Sequence, residues 1–156
     1  MSDAIEARLK ELGYTLPAAA APAANYVPFT ISGNLLYISG QLPMESGKIA
    51  VTGHVGRDVD VASAQKAAEL CAVNILAQVK AALNGDLSKV RRVLKLNGFV
   101  ASVPEFTEQH LVINGASNLI ANVVGDAGKH ARAAVGMASL PFNAAVEIDA
   151  IVEIDV

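Results

Sequence analysis

The strongest pattern of apolar positions lies between Asp60 and Leu83. Apolar residues recur there at intervals of three and four, namely Ala68, Cys71, Ala72, Ile75, Leu76, Val79 and Leu83. This spacing places them along one face of a helix. Asp60 can act as the N-terminal cap, and Gly85 follows the point where the pattern stops. The segment therefore predicts a long helix with one buried face.

Shorter runs of β-branched and aromatic residues predict strands. The segment "PFTISGNLLYISGQLP" (28–43) holds two such runs around Gly33-Asn34, a dipeptide that tolerates the positive φ angles of a tight hairpin. A short strand is predicted at 48–51. A longer strand is predicted at 90–102, with Gly98 as a candidate β-bulge. These runs predict a hairpin followed by two further strands.

The N-terminal segment predicts a short helix and an extended arm. Asp3 can cap a helix that runs to about Leu12, and Gly13 can end it. The next segment, "LPAAAAPAA" (16–24), has no periodic pattern, which indicates a tether that could pack on a neighbouring subunit. We therefore expect a helix and arm at 1–23, followed by a single domain at 24–156.

A second long helix is predicted from Glu105, directly after Pro104, to Val124. Gly115 lies inside it and weakens a helix by roughly 1 kcal/mol relative to alanine. The order of strands and helices predicts an α+β fold, with a mostly antiparallel sheet and both long helices on one face. The other face of such a sheet would need a second copy of the chain if it were broadly apolar.

The closing segment, "ARAAVGMASLPFNAAVEIDAIVEIDV" (131–156), contains two alternating runs around Pro141-Phe142 and predicts a second hairpin. In that register the core face carries Ala133, Val135, Met137, Val146, Ile148, Ala150 and Val152. The opposite face carries Arg132, Ala134, Gly136, Ala138, Glu147, Asp149 and Ile151. A small carboxylated molecule could fit between Arg132 and Glu147, although the two could equally be solvated residues or an intersubunit ion pair.

Composition and charge narrow the classes of partner. The formal net charge is −3 and the basic residues are scattered, so nucleic acid is not an expected partner. The three histidines lack metal-ligand spacing and no glycine-rich phosphate motif follows a strand, so we predict no metal and no cofactor. No apolar run is long enough for a membrane span, and a lone cysteine, Cys71, indicates a cytoplasmic location.

Four segments resemble one family. They are "YISGQLP" (37–43), the helix that contains Asn74, "VRRVLKLNGFVAS" (90–102) and above all the region 131–154. They are similar to the Rid family, also called the YjgF or L-PSP family, and the resemblance covers about residues 24–154 and indicates a longer, divergent subgroup. The resemblance implies a chorismate mutase-like fold and a homotrimer that forms a barrel with clefts between subunits. It also implies hydrolysis of reactive enamines and imines, such as 2-aminoacrylate, to 2-keto acids and ammonia.

The resemblance also implies roles for particular residues. Arg132 matches the arginine that binds the substrate carboxylate, and Glu147 matches the glutamate that orients water. Tyr26 matches a pocket tyrosine on the neighbouring subunit, and Ser39 and Gly40 match a Ser-Gly pair that lines the cleft.

Two positions depart from the family pattern. Ala134 stands where the archetypal deaminases carry a cysteine, although its backbone carbonyl is retained. Gln109 or His110 falls near the position of an expected asparagine.

Three functions remain open from the sequence. The first is an imine and enamine hydrolase that uses Arg132 and Glu147. The second is a non-catalytic module that binds a 2-keto acid or similar carboxylate and regulates a partner. The third is an endoribonuclease or translation inhibitor, which the acidic charge and the few aromatic residues disfavour.

Overall fold

The structure, a computed structural model, describes residues 2–22 and 24–156. Its helices and strands, in chain order, are α1 (Ser2–Glu11), β1 (Phe29–Ser32), β2 (Leu35–Gln41), β3 (Met44–Glu45), β4 (Lys48–Ile49), α2 (Val61–Ala82), β5 (Val90–Ala101), α3 (Gln109–Val124), β6 (Ala131–Met137) and β7 (Val146–Ile154). Five of the strands form one sheet in the order β1-β2-β7-β5-β6.

The sheet is mixed, because β5 and β6 run parallel while the other neighbours in the five-stranded sheet run antiparallel. The helices α2 and α3 pack on one another and on one face of the sheet. The predicted α+β class, with both long helices on one face, is therefore confirmed. The first hairpin is confirmed as well: Ser32 pairs with Leu35, and Gly33 has a φ of 60°.

The cap of α2 matches its sequence prediction. Asp60 accepts a hydrogen bond from the Ser63 backbone N–H at 2.7 Å. This bond satisfies one of the amide groups that the first turn of a helix leaves without an intrahelical partner. The helix then runs to Ala82, and Gly85 adopts a φ of 92° just beyond it.

The N-terminal helix begins at Ser2, so Asp3 lies inside α1 and not at its cap; the Asp3 side chain lies outside the described part of the chain. The helix contributes Ile5 and Leu9 to the main hydrophobic core. Arg8 Nη1 also donates to the Val123 carbonyl at 3.0 Å. The helix α1 thus packs on its own chain. Packing of the arm on a neighbouring subunit stays a prediction, as does the domain division at residue 23.

Two details of the middle region differ from the prediction. The helix α3 begins at Gln109 and not at Glu105, because Pro104 and Glu105 form a turn in which the Phe106 N–H donates to the Val103 carbonyl at 3.1 Å. Gly98 is not a bulge, since it pairs regularly with both Ala134 and Ile148. A Cβ at Gly98 would lie 2.5 Å from the Ile113 side chain, so the glycine permits close packing of α3 on the sheet.

Gly115 has the same kind of role between the helices. A Cβ at this position would collide with the carbonyl of Gln65 on α2. The helix α3 is continuous through Gly115. Its close contact with α2 stabilises the helix there and offsets the low helix propensity of glycine. The predicted weak point is therefore a packing contact.

The predicted closing hairpin is the main point on which the structure contradicts the sequence analysis. The strands β6 and β7 are not neighbours, because β5 lies between them and pairs with both. Residues 138–145 cross the end of β5, where Ala101 N–H donates to the Ala145 carbonyl at 2.9 Å. The apolar residues of β6 and β7 would alternate in the same way if the two strands paired directly or if a third strand lay between them. The sequence pattern therefore did not distinguish the two arrangements.

This correction reverses the predicted faces of β6. Leu96 pairs with Arg132 on one side and with Ala150 on the other, and both Leu96 and Ala150 are buried beneath the helices. Directly paired residues point to the same face of a sheet. Arg132 therefore lies on the helix-covered face, and Val135 lies on the open face, where it is 43% exposed. The face assignment of β7 was correct.

Candidate functional site

A β-bulge at the end of β2 begins the site. Ile38 pairs with Ala150 and Gln41 with Ile148, so Ser39 and Gly40 together stand opposite a single residue of β7. Such a bulge bends a strand and redirects its side chains. A Cβ on Gly40 would collide with the Oε2 atom of Glu147. The absence of a side chain at Gly40 thus provides the space that the Glu147 carboxyl occupies.

Glu147 is a half-buried acid with an unusual environment. Burial raises the pKa of its carboxyl above the ordinary value, and the neighbouring negative charge of Asp149 raises it further. Among the described residues, no hydrogen bond or salt bridge reaches this carboxyl in the structure. A carboxylate that is partly desolvated and unpaired is a stronger base than an exposed one and is free to hold a water or a ligand.

Glu147 faces a cavity of about 240 Å³. The cavity is lined by Ala20, Ala21, Pro22, Tyr26, Pro28, Ser39, Gly40, Gln41, Leu42, Met44, Gly47, Ile49, Asn74, Pro141, Phe142 and Glu147. Tyr26 and Glu147 of one chain thus line the same cavity, and the approach of a neighbouring subunit to this cavity stays a prediction. The resemblance had placed Ser39 and Gly40 in this lining, and the arm residues were not foreseen.

The polar side chains around the cavity mostly hold the backbone in place. Ser39 Oγ donates to the Val27 carbonyl at 2.7 Å. Asn74 Nδ2 donates to the carbonyls of Leu42 and Met44 at 3.0 and 3.1 Å. No role had been assigned to Asn74 from the sequence, although a polar residue among the apolar positions of the α2 pattern was a signal for one.

Arg132 lies in a second cluster, on the other face of the sheet. Its Nη1 donates to Ser117 Oγ at 3.0 Å, and its Nη2 donates to the His110 carbonyl at 2.9 Å. His130 Nδ1 lies 2.6 Å from the Gly128 carbonyl, so this nitrogen carries the proton. His130 Nε2 then accepts from the Ser117 hydroxyl at 2.8 Å. The guanidinium is therefore held by α3 through a defined network.

The predicted site residues fall into two groups. Tyr26, Ser39, Gly40 and Glu147 line one cavity. Arg132 and Ala134 lie near α3, where Ala134 packs against the core and the backbone carbonyl of His110 accepts from Arg132. Within one chain the two groups do not meet. The strand that carries Arg132 and Ala134, β6, is an edge of the sheet.

Other candidate groups are structural. Cys71 is fully buried, its thiol lies 3.7 Å from the Val146 carbonyl, and burial raises its pKa well above the ordinary value. In the part of the chain that the structure describes, no three His, Cys, Asp or Glu side chains are grouped so that they could hold a metal ion. None of the described helices is both long and apolar enough to cross a membrane.

The structure is thus an α+β domain with a mixed sheet, helices on one face and a cavity at a β-bulge. The sequence model of a family described as "YjgF/chorismate mutase-like, putative endoribonuclease" matches residues 6–154. The chain belongs to this family, as the resemblance of residues 24–154 predicted.

Several known proteins are similar to this chain over nearly its whole length. A crystal structure of the protein Atu1372 from Agrobacterium tumefaciens is 87% identical, with a TM-score of 0.95 and coverage of 99% of this chain and 94% of that one. A crystal structure of a putative endoribonuclease from Shewanella oneidensis is 33% identical, with a TM-score of 0.92 and coverage of 96% and 99%. Protein TCP17 of Trypanosoma cruzi is 53% identical and covers 99% of this chain and 96% of its own length.

Proposed function

We propose that this protein hydrolyses reactive enamines and imines, of the 2-aminoacrylate type, to 2-keto acids and ammonia. The observation that carries the proposal is the Glu147 carboxyl. It is half-buried, has no partner among the described residues, and lies in a cavity where the missing side chain of Gly40 makes room for it. A carboxylate in that state can act as a general base toward water without first breaking an internal ion pair.

The reaction needs only water and proton transfers. An enamine first becomes the imine by gaining a proton at its terminal carbon and losing one from its nitrogen to solvent. Glu147 takes a proton from a bound water as the water oxygen forms a bond to the imine carbon, and passes this proton to the imine nitrogen, which becomes the amine of a tetrahedral intermediate. Glu147 then takes the hydroxyl proton and passes it to the amine as the carbon–nitrogen bond breaks, so that ammonia leaves and the keto group forms.

The carboxylate clamp in this proposal is Arg132 of a neighbouring subunit. Arg132 lies on the opposite face of its own sheet from Glu147, but β6 is an edge strand that an adjacent copy can approach. Two N–H groups of Arg132 are used by Ser117 and His110, and a guanidinium has five. The remaining donors can bind a carboxylate, while the carbonyl of Ala134 on the same strand can hold water. We propose a homotrimer with three such clefts.

A related structure illustrates the class of ligand. Escherichia coli TdcF is known with bound serine, and it is 23% identical to this chain with a TM-score of 0.63, a likeness of fold. For the present chain we propose a small carboxylated imine or enamine as substrate and the 2-keto acid as product. We also propose a cytoplasmic location, which the free, buried Cys71 supports.

The test measures ammonia and keto-acid release from imines generated in situ from amino acids. Glu147→Gln should reduce kcat at least 100-fold, because it removes the base without changing the shape of the side chain. Arg132→Ala should raise KM at least ten-fold, because it removes the charge-assisted bonds to the substrate carboxylate. Light scattering should give a trimer for each variant.

Glu153→Gln is the matched control, since it makes the same chemical change on the same strand. Glu153 bonds Asn34 at 3.3 Å and does not line the cavity. Activity should match the wild type. An absence of activity in the wild-type trimer, or an equal loss in Glu153→Gln, would contradict the hydrolase.

The second candidate is a non-catalytic module that binds a small carboxylate. It is favoured by the similarity to the putative regulator AldR of Lactococcus lactis, which is 30% identical over 140 residues, or 88% of this chain and 91% of that protein. Calorimetry would support the module if Glu147→Gln bound a 2-keto acid as tightly as the wild type and no imine were turned over.

The third candidate, an endoribonuclease, has little support in this chain. The net charge is −3, and RNA binding depends on a basic surface. Ribonuclease activity that decreases with further purification would remove this candidate.

A further inference from the structure

We propose that the N-terminal arm sets the size of substrate that the cavity accepts, and that this size corresponds to a 2-imino acid with a branched aliphatic or aromatic side chain. This inference rests on the proposed hydrolase and concerns the substrate of the same site. It assigns a role to residues 20–22, which lie upstream of the segments that carry the resemblance.

The lining of the cavity is mainly apolar beyond the Glu147 carboxyl. Leu42, Met44 and Ile49 form part of the wall, and Glu147 is the one carboxyl group among the described lining residues. A three-carbon substrate such as 2-aminoacrylate has a single carbon beyond its imine carbon and carboxylate, so it offers little apolar surface to this wall. A substrate with a longer apolar side chain would replace water against this wall and bind more tightly.

The arm forms the wall at Ala20, Ala21 and Pro22. These residues are small, so they leave volume in the cavity that larger side chains would fill. Ala20 is fixed by Gln78 on α2, whose Nε2 donates to the Ala20 carbonyl at 2.8 Å. Gln78 is only 1% exposed. The arm is therefore a defined surface against which a ligand can pack.

Gln78 gives a second reason to regard the arm contact as specific. Its Oε1 atom is buried and has no hydrogen-bond partner among the described residues. A buried, unsatisfied amide oxygen is unfavourable, and an apolar residue would avoid this cost. An apolar residue would, however, lose the bond that holds Ala20 at the cavity.

The arm is also anchored upstream of the cavity. Tyr14 is 9% exposed, donates to Glu69 Oε1 at 3.1 Å and accepts from Lys66 Nζ at 2.6 Å. Glu6 on α1 forms a salt bridge with Lys80 on α2 at 3.0 Å. These contacts hold the start of the arm against α2, so that the wall is present before a substrate binds.

Phe142 adds an aromatic side chain to the same lining. It is 67% exposed, and it has a φ of 57° followed by 59° at Asn143. Positive φ angles are uncommon for residues other than glycine and are unfavourable for a bulky side chain. This conformation keeps an apolar ring at the cavity, where a substrate side chain can cover it.

The experiment compares kcat/KM for imines made from alanine, leucine and phenylalanine. Each buried methylene contributes about four-fold in binding, so the leucine imine, with three more carbons, should exceed the alanine imine by about 60-fold. Ala21→Leu should lower kcat/KM at least ten-fold for the leucine and phenylalanine imines and less than two-fold for the alanine imine.

Ala18→Leu is the control variant, because Ala18 is an exposed arm residue that does not line the cavity. Its substrate preference should match the wild type. A wild-type preference for the alanine imine, or an equal loss for all three substrates in Ala21→Leu, would overturn the role of the arm while leaving the hydrolase intact.

Calorimetry separates this inference from the proposed hydrolysis. Pyruvate and 4-methyl-2-oxopentanoate carry the same side chains as the alanine and leucine imines. Tighter binding of the longer acid, weakened by Ala21→Leu, would support the arm even if no imine were hydrolysed. Equal binding of the two acids, or binding of neither, would overturn it.

Discussion

Glu147 and Arg132 are both charged residues within strands of the same sheet, yet their surroundings are opposite. Glu147 lies on β7 inside the sheet, half-buried, with no partner for its carboxyl among the described residues. Arg132 lies on the edge strand β6, where Ser117 and the His110 carbonyl hold its guanidinium. The unpaired carboxyl suits the role of general base that we propose for Glu147. The guanidinium is held in one orientation, which suits the carboxylate clamp across a subunit interface that we propose for Arg132.

The largest expected effect comes from filling the space beside Glu147. In Gly40→Ala the new methyl group would displace the carboxyl, and a displacement of about 1 Å can reduce catalysis about 100-fold. The fold should persist, because the displaced atom is the end of a flexible side chain. Imine hydrolysis and the unfolding midpoint measure the two effects.

A double variant checks that the loss acts through Glu147. Adding Gly40→Ala to Glu147→Gln should reduce activity little further, since the group that the methyl displaces has already lost its function. Fully multiplicative losses would show that Gly40 contributes to the site in another way.

An intermediate effect is expected in the Arg132 cluster. Ser117→Ala removes the acceptor of Arg132 Nη1 and the donor to His130 Nε2, and should lower the free energy of unfolding by about 1 kcal/mol. If the arginine binds the substrate carboxylate, KM should rise several-fold with little change in kcat. Steady-state kinetics and denaturant unfolding measure these quantities.

Ser117→Thr keeps the hydroxyl and should restore most of the wild-type KM. A KM that stays unchanged in Ser117→Ala, despite the loss of stability, would show that the hydroxyl does not position Arg132. The contrast between an oriented Arg132 and an unpaired Glu147 would then not hold for Arg132.

The smallest expected effect is a dependence of stability on pH. Because burial raises the pKa of Glu147 above 4.5 in the folded protein, the native state holds the proton to higher pH than the unfolded state. The free energy of unfolding should therefore fall as the pH rises from about 4.5 through the raised pKa. Glu147→Gln should reduce this fall, as followed by urea unfolding between pH 4 and 8.

The contribution of Asp60 to stability depends on pH with the opposite sign. Its hydrogen bond from the Ser63 backbone N–H lowers its pKa below 3.8, so its stabilising contribution is lost as the pH falls. Asp60→Asn should leave the decrease above pH 4.5 in place. If Glu147→Gln also left it unchanged, the carboxyl would not be responsible.

Sequence reasoning succeeded where the determining contacts are local. The cap at Asp60 and the turn at Gly33 each depend on a few neighbouring residues, and the structure confirms both. The pairing of β6 depends instead on β5, about 35 residues earlier in the chain, and the alternating pattern contains no information on that distance. The predicted shared face of Arg132 and Glu147 was therefore wrong within one chain.

Glycines show the same limit at a smaller scale. From the sequence, Gly98 within a strand indicated a bulge, and Gly115 within a helix indicated a weak point. Both instead permit close packing, against Ile113 and the Gln65 carbonyl. The sequence alone cannot state which element lies opposite a glycine. For the same reason the family resemblance indicated Gly40 as a cleft residue but did not show that Glu147 fills the space beside it.

The position of β7 has a consequence for the synthesis of this protein. Of the five strands in this sheet, β7 comes last in chain order, yet it is the central strand and joins the β1-β2 pair to the β5-β6 pair. The nascent chain therefore cannot complete this sheet until β7 has been synthesised. A chain truncated before Val146 would leave two separate pairs of strands with exposed edges. Chaperones and cellular quality control would therefore encounter a protein whose sheet is divided in two, and not a folded protein that lacks one edge strand.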